Sequence, residues 1–439
     1  MTTALQHGLA PTRTVLPNVA VVIAKRSTIS PAVTISASFR AGNVCDPPDK
    51  VGLAYFLSRV IDRGTDERDA ESIAEALDSR GVVLNATVTR HTFTLSCNAL
   101  AEDFEPILEL IADISRRPTM PEVEIATRRG EIVTSIRQDE DTPAVMAVEG
   151  LLNLLYPDGH PYGRRSKGTV GSLERIDRPG LQEFHRRYFS PSGLSLVIVG
   201  DVEIERAGEV AARVFGDWEG AAVDLPVLPP VPVPALRREL AIAMMNKAQA
   251  DIAYGFPTLT RSDPAYYAFS VMNNVLGQYG LGGRLGDNIR ERQGMAYYVF
   301  SAFDATVAPG PLIVRAGVNP LNVERAIEAI DTELARLAAD GVTEGELADA
   351  KQYLIGSMPR TLETNAGIAA FLQAEEYFSL GLDHDLRLPG LLAAVTLDQA
   401  NEVARRFLVP QRAAVVVAGP YEARKSQGAG AQAASKAHP

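Results

Sequence analysis

A chain of 439 residues is longer than one ordinary hydrophobic core and suits two domains of about 200 residues each. With 46% hydrophobic and 22% charged residues it is globular rather than disordered. A formal net charge of −11 argues against nucleic acid or anionic membrane as partners, since both demand a basic surface. Cys45 and Cys97 are the only cysteines, too few for a disulfide framework. The N-terminus lacks the basic region and long apolar run of a secretory signal, and no window reaches the length of a spanning helix. A cytoplasmic location is the expectation.

In chain order, Val19 to Ala24 is an apolar run and Val33 to Phe39 alternates like a half-buried strand. Val51 to Thr65, VGLAYFLSRVIDRGT, reads as a helix with Leu53, Phe56, Leu57, Val60 and Ile61 on one face. Tyr55, Ser58, Arg59 and Asp62 form the other face, and Gly64 ends the helix. Asp69 to Ser79 predicts an amphipathic helix, and Val82 to Ala99 two paired strands rich in β-branched Thr87, Thr89, Thr92 and Thr94. Cys97, within TFTLSC, is expected to be a core thiol.

Glu102 to Ile114, Glu122 to Arg137 and Ala144 to Tyr156 read as helices, the last followed by HPYGRRSKGT. His160, between Gly159 and Pro161, suits a structural role better than a catalytic one. Leu181 to Tyr188 is a helix with His185 read as a surface residue; Leu194 to Gly200 is a strand, and Glu205 to Phe215 a further helix.

Residues 223–235, VDLPVLPPVPVPA, predict a stiff, extended linker between a first domain over 1–222 and a second over 236–420. The second half repeats a strand, a helix, a break and another helix seen in the first, at an offset close to half the chain, which suggests a duplicated domain. Thr343 and Glu346 have capping-box spacing, and residues 421–439 read as a disordered tail. Strands followed by helix pairs, twice over, imply two α+β domains, each a largely antiparallel sheet flanked by helices.

The frame GLAYFLSRVIDRGT resembles the active-site helix of the pitrilysin/insulinase family of zinc peptidases, the inverzincins. That family reads H-x-x-E-H where this chain has Tyr55, Phe56, Leu57, Ser58 and Arg59. Two imidazoles one turn apart hold zinc, and the carboxylate between takes a proton from metal-bound water. RRGEIVTSIRQDEDTP resembles the family's later helix, with Ser135 at the position of the third ligand, a Glu, and Glu131 one turn earlier. The loop HPYGRRSKGT also resembles a family loop. By this resemblance no metal is expected in this chain.

A second cluster lies in GQYGLGGRLGDNIRERQGMAYYV, where Gly277, Gly280, Gly282 and Gly283 predict a flexible loop that brings backbone close to a ligand or a neighbouring chain. Arg290 and Tyr297 follow, seven residues apart across Gly294, and resemble the family's R-x-x-x-G-x-x-Y pattern. Each alone has an ordinary reading: for Arg290 a surface ion pair with Asp287 or Glu291, for Tyr297 a core aromatic. In the family the pair serves the reaction, Arg as a fork of donors to a peptide carbonyl and Tyr as a donor to the oxyanion.

The resemblance therefore implies the non-catalytic, peptide-binding subunit of a heterodimeric zinc metalloendopeptidase. A homologous partner with an intact H-x-x-E-H would carry the zinc, and the substrate would be a peptide or unfolded protein. The rival expectation is a catalytically dead scaffold subunit of a larger complex. An autonomous site built from His91, Cys97, His160 and Glu131 matches no metal or nucleophile spacing.

Overall fold

In the computed structural model, which describes residues 8–278 and 282–422, each half of the chain builds one sheet. The first runs, in spatial order, β1 (Thr12–Val15), β2 (Val21–Arg26), β6 (Leu194–Gly200), β3 (Ala32–Phe39), β5 (Phe93–Leu100) and β4 (Asn85–Val88). The second runs β7 (Arg238–Ala243), β11 (Ala414–Gly419), β8 (Ala250–Pro257), β10 (Pro311–Val318) and β9 (Ala296–Phe303). Each sheet is antiparallel except at one parallel pair, β2 with β6 and β7 with β11. Without β1 the two orders are the same. The repeat read from the sequence is present as β5, α3 (Phe104–Arg116) and α4 (Glu122–Glu140), matched by β10, α10 (Val323–Asp340) and α11 (Glu344–Thr361). β1 is not anticipated by the sequence pattern, because its four residues are all exposed and carry no alternation.

Period-two alternation sorts β3 into two faces. Val33, Ile35, Ala37 and Phe39 join the first core, while Thr34, Ser36 and Ser38 point to the other side. Helix α1 (Leu53–Val60) lays Leu53, Phe56, Leu57 and Val60 into that core, with Ile61 just beyond. Its N-terminus is closed by Asp46, whose carboxylate accepts the Gly52 and Ala54 N–H groups, each at 2.8 Å. Burial pushes the Asp46 carboxyl up to about 7, against those hydrogen bonds. Cys97 is a buried core thiol, raised to about 12 by burial.

The halves exchange helices. Helix α5 (Pro143–Leu155), from the first half, packs on β8 and β11 of the second sheet. A Cβ at Gly150 would stand 3.1 Å from Val416 Cγ1, so glycine permits the close approach. Reciprocally, α12 (Asn365–Tyr377) lies on β3 and β6 of the first sheet, where Ile368, Ala369 and Leu372 pack with Ile23, Val197 and Val199. The lobes are thus interlocked by two exchanged helices as well as joined by the proline-rich stretch. His160 fastens that stretch: its Nδ1 accepts the Tyr162 N–H and its Nε2 donates to the Pro229 carbonyl, both at 3.1 Å. This is the structural role its surroundings suggest.

His185 is not the surface residue the sequence implies. It lies on helix α7 (Arg178–Tyr188) one turn from Leu181, on the stripe that also holds Phe184 and Tyr188, so its ring is drawn inward. Nε2 donates to the Ser115 carbonyl at 2.8 Å, the ring stacks on Phe189, and burial pulls its pKa down to about 4. Among the described residues no helix is long and apolar enough to cross a membrane. The tail from 423 onward lies outside the described residues.

Candidate functional site

The side chains at the expected metal positions are turned to other uses. Ser58 is buried and its hydroxyl donates back to the Tyr55 carbonyl at 2.7 Å, an i to i−3 bond within α1. Tyr55 is half-buried and Arg59 exposed. On α4, Ser135 Oγ accepts from Lys167 Nζ at 2.8 Å, and the same ammonium pairs with Asp139 at 2.6 Å. Glu131, one turn earlier, is held by Arg128 at 2.6 Å. That hydrogen bond, with smaller contributions from Arg59 and Arg63, keeps its carboxyl below the usual range.

Zinc needs thiolate, imidazole or carboxylate donors converging on one point. The positions here offer a phenol, a hydroxyl engaged with backbone, a guanidinium, and a second hydroxyl beneath an ammonium ion. These groups do not fit the metal. Among the described residues no three His, Cys, Asp or Glu side chains converge to hold one.

Lys167 adds a barrier that the four substitutions alone do not reveal. Restoring the motif by Y55H, S58E, R59H and S135E is expected to yield little bound zinc while Lys167 remains, and more once K167A is added, as read by metal analysis of the purified chain. Equal zinc in both would show that the ammonium yields its place freely.

Arg290 lies in a π-helical turn, Gly286–Arg292, and Tyr297 is the second residue of β9. Tyr297 is 65% exposed, so the core-aromatic reading of it fails. Its phenol has no hydrogen-bond partner among the described residues. The Arg290 side chain is 43% exposed, and its one ion pair among the described residues is with Glu291, at 3.8 Å; Asp287 pairs instead with Arg292 at 2.6 Å. Another π-helical turn, Asn274–Gln278, stands on the other side of the glycine segment, and such turns are frequent at functional positions.

The two glycines retained there differ. Gly282 is exposed and borders a cleft of about 840 Å³ shared with Arg284, Asp287 and Arg360. Gly283 is buried, and a Cβ on it would come within 2.6 Å of Gly277 Cα, so the close approach it permits is to its own chain. Gly280 lies outside the described residues.

The pair and the former metal positions stand on opposite lobes. β4, which packs beside α1, and β9, which carries Tyr297, are the edge strands of their sheets, and the tips of their hairpins meet. Arg90 forms an ion pair with Asp304 there. Tyr162 OH bridges Thr306 Oγ1 and His91 Nε2, the latter at 2.6 Å, and Tyr156 OH donates to the Pro309 carbonyl at 3.1 Å. The HPYG loop is therefore part of the joint between lobes, a role the aromatic-rich sequence does not disclose. Tyr297 and Asp304 are seven residue steps apart along β9 and its end, roughly 23 Å at the usual rise.

Two interlocked copies of one α+β plan, with a ligand-free helix where a metallopeptidase binds its ion, define a zinc-peptidase fold without its metal site. The chain belongs to the insulinase family, peptidase family M16. Residues 21–161 match the family model described as Insulinase (Peptidase family M16), and residues 175–354 match the Peptidase M16 inactive domain.

An uncharacterized zinc protease of Mycobacterium leprae is 28% identical across 94% of this chain and 93% of its own length. A Helicobacter pylori protein named as a non-peptidase homolog is 24% identical, with 87% of each chain covered. The fold is shared with an M16 inactive-domain structure from Pseudomonas fluorescens, with a TM-score of 0.87, 24% identity, and 95% and 99% of the two chains covered. It is also shared with the Escherichia coli periplasmic protease PqqL, with a TM-score of 0.77 and 19% identity, where the match covers 95% of this chain and 46% of that one.

Proposed function

We propose that this chain is the non-catalytic subunit of a two-chain zinc endopeptidase, and that it binds an extended peptide and lends Arg290 and Tyr297 to an active site whose metal sits in a homologous partner. One contrast carries the reading. Of the metal positions, Ser58 is bonded to the Tyr55 carbonyl and Ser135 to Lys167, while Arg290 and Tyr297 stand exposed on the other lobe, with no strong partner among the described residues.

The partner's zinc would supply the activated water. The work of this chain is to hold and polarise the substrate. A guanidinium offers a planar fork of donors to a peptide carbonyl, and a phenol donates to the oxyanion that water attack creates. Roughly 23 Å of strand between Tyr297 and the joint favours service to a facing chain over service to α1 of the same chain. The free edge of β4 offers backbone groups for pairing with an extended peptide. The length relation to PqqL fits as well, since this chain corresponds to just under half of that protease.

Co-expression of the full chain with an H-x-x-E-H-bearing homologue from the same genome tests the pairing. A complex that elutes as one species containing both chains is the expected result. Separate elution of the two at micromolar concentration contradicts it.

A further inference from the structure

Arg290 and Tyr297 are aimed by different means. Tyr297 is placed by backbone: Val318 of β10 pairs with Ala296 and Gly317 with Tyr298, so Tyr297 is the extra residue of a β-bulge, a device that re-aims a side chain. Arg290 has no ladder to fix it. Its turn is wide, with the Gln293 N–H bonded to the Asn288 carbonyl at 3.0 Å and the Met295 N–H to the Ile289 carbonyl at 3.1 Å. Such wide turns are rare in proteins, and this one is fastened from outside.

Two side-chain ties run from the segment to the helices behind it. Where the segment opens, Arg284 grips Glu346 of α11 with two prongs, Nε to Oε1 at 2.6 Å and Nη2 to Oε2 at 2.7 Å. Within the turn, Asn288 Nδ2 donates to Glu333 Oε1 of α10 at 2.6 Å, and Asn288 Oδ1 accepts from Gln293 Nε2 at 2.8 Å. A carboxylate only accepts, so Glu333 fixes which end of the Asn288 amide faces α10 and leaves the other to Gln293. Ile289, the next residue, is wholly buried in the second core, and Arg290 stands on the outer side of the turn.

Glu333 is placed unlike a residue that serves only a surface ion pair. It is 3% exposed, while the side chain of its i+3 partner Arg336, at 3.1 Å, is 61% exposed. Burying a carboxylate is costly unless bonds compensate it, and the shorter of these two bonds goes inward to Asn288. Resting on the reading of Arg290 as a donor to a shared active site, we propose that Glu333 is the positioning residue of Arg290: through Asn288 it fixes the turn that carries the guanidinium and so sets where that fork points.

The test measures peptide cleavage by the full chain assembled with the zinc-bearing homologue. E333A is expected to lower kcat by about 10- to 100-fold, the upper figure being the cost of misplacing a reacting group by an ångström, with KM changed only a few-fold. N288A should match it, and E333Q, which keeps a carbonyl acceptor for Asn288, should recover most of the rate. In an R290A background E333A should slow the reaction no further, because residues that act through one group are not additive. Losses of the same size in both backgrounds, or E333A and N288A as fast as the parent while R290A is slow, overturn the positioning role. If circular dichroism shows that E333A does not fold, N288A in the two backgrounds decides. R290A as fast as the parent overturns instead the reading on which the proposal rests.

Discussion

Changing Arg290 to alanine in this chain is expected to slow cleavage by the assembled pair by about 10²–10³, the usual cost of losing one donor to a developing oxyanion. The zinc content of the partner and the stability of the complex should not change, because the Arg290 side chain is 43% exposed and its one ion pair among the described residues is the 3.8 Å contact with Glu291. The loss should fall on kcat more than on KM if the guanidinium acts chiefly on the transition state. Lysine should restore little, since a single ammonium does not reproduce the planar fork. Y297F should cost a similar order, because the ring remains while its donor is removed. R292A is the matched control: Arg292 occupies the same turn but is engaged by Asp287, so its loss should leave the rate within a few-fold. If R290A cleaves as fast as the unaltered pair, the two residues are inherited and unused, and the scaffold reading gains.

An E375Q variant should be more stable than the unaltered chain above pH 8 and nearly equal to it at pH 4. Glu375 lies on α12 with 1% of its surface exposed, and neither carboxyl oxygen has a hydrogen-bond partner among the described residues. Asp385, also buried, is nearby; one of its oxygens accepts the Leu9 N–H at 2.6 Å and the other has no hydrogen-bond partner among the described residues. Burial first, then the neighbouring Asp385 and Asp383, pushes Glu375 up to about 8.

A glutamate in the unfolded chain titrates near 4.3. Between that value and about 8 the folded state holds the extra proton, so this residue's contribution is fully present below the lower value and is lost as pH rises through the upper one. Glutamine stays neutral throughout and abolishes the dependence. A gain of about 2 kcal/mol at pH 9 is expected, read by denaturant midpoints of variant and parent at each pH. A difference that stays constant from pH 4 to 9 would mean that Glu375 does not hold its proton in the folded chain.

How far the sequence discloses this structure depends on the range of the interaction. The buried face of α1, the capping box at Thr343 and the β5–α3–α4 repeat are local patterns, each written within a few turns or strands, and they are readable. Exchange of α5 and α12 is not, because an apolar helix does not say which sheet will cover it. The replacement at Ser135 is visible in the family frame, yet the ammonium that engages its hydroxyl comes from Lys167, 32 residues away. His185 misleads because a histidine reads as a surface residue although its place on the helix stripe turns it inward, and the joint made by Tyr162 is not legible because its partners His91 and Thr306 lie far off in the chain. Exposure of Tyr297 is likewise a tertiary property, though the spacing to Arg290 pointed at the pair.

Hydrolysis of a quenched fluorescent, unstructured peptide by this chain, by the zinc-bearing homologue and by their mixture, with metal content measured for each, bears most directly on the shared active site. The expected result is cleavage by the mixture far above either chain alone, with zinc found only in the homologue. Full activity of the homologue alone, unchanged by adding this chain, would contradict it, and so would zinc and cleavage in this chain by itself.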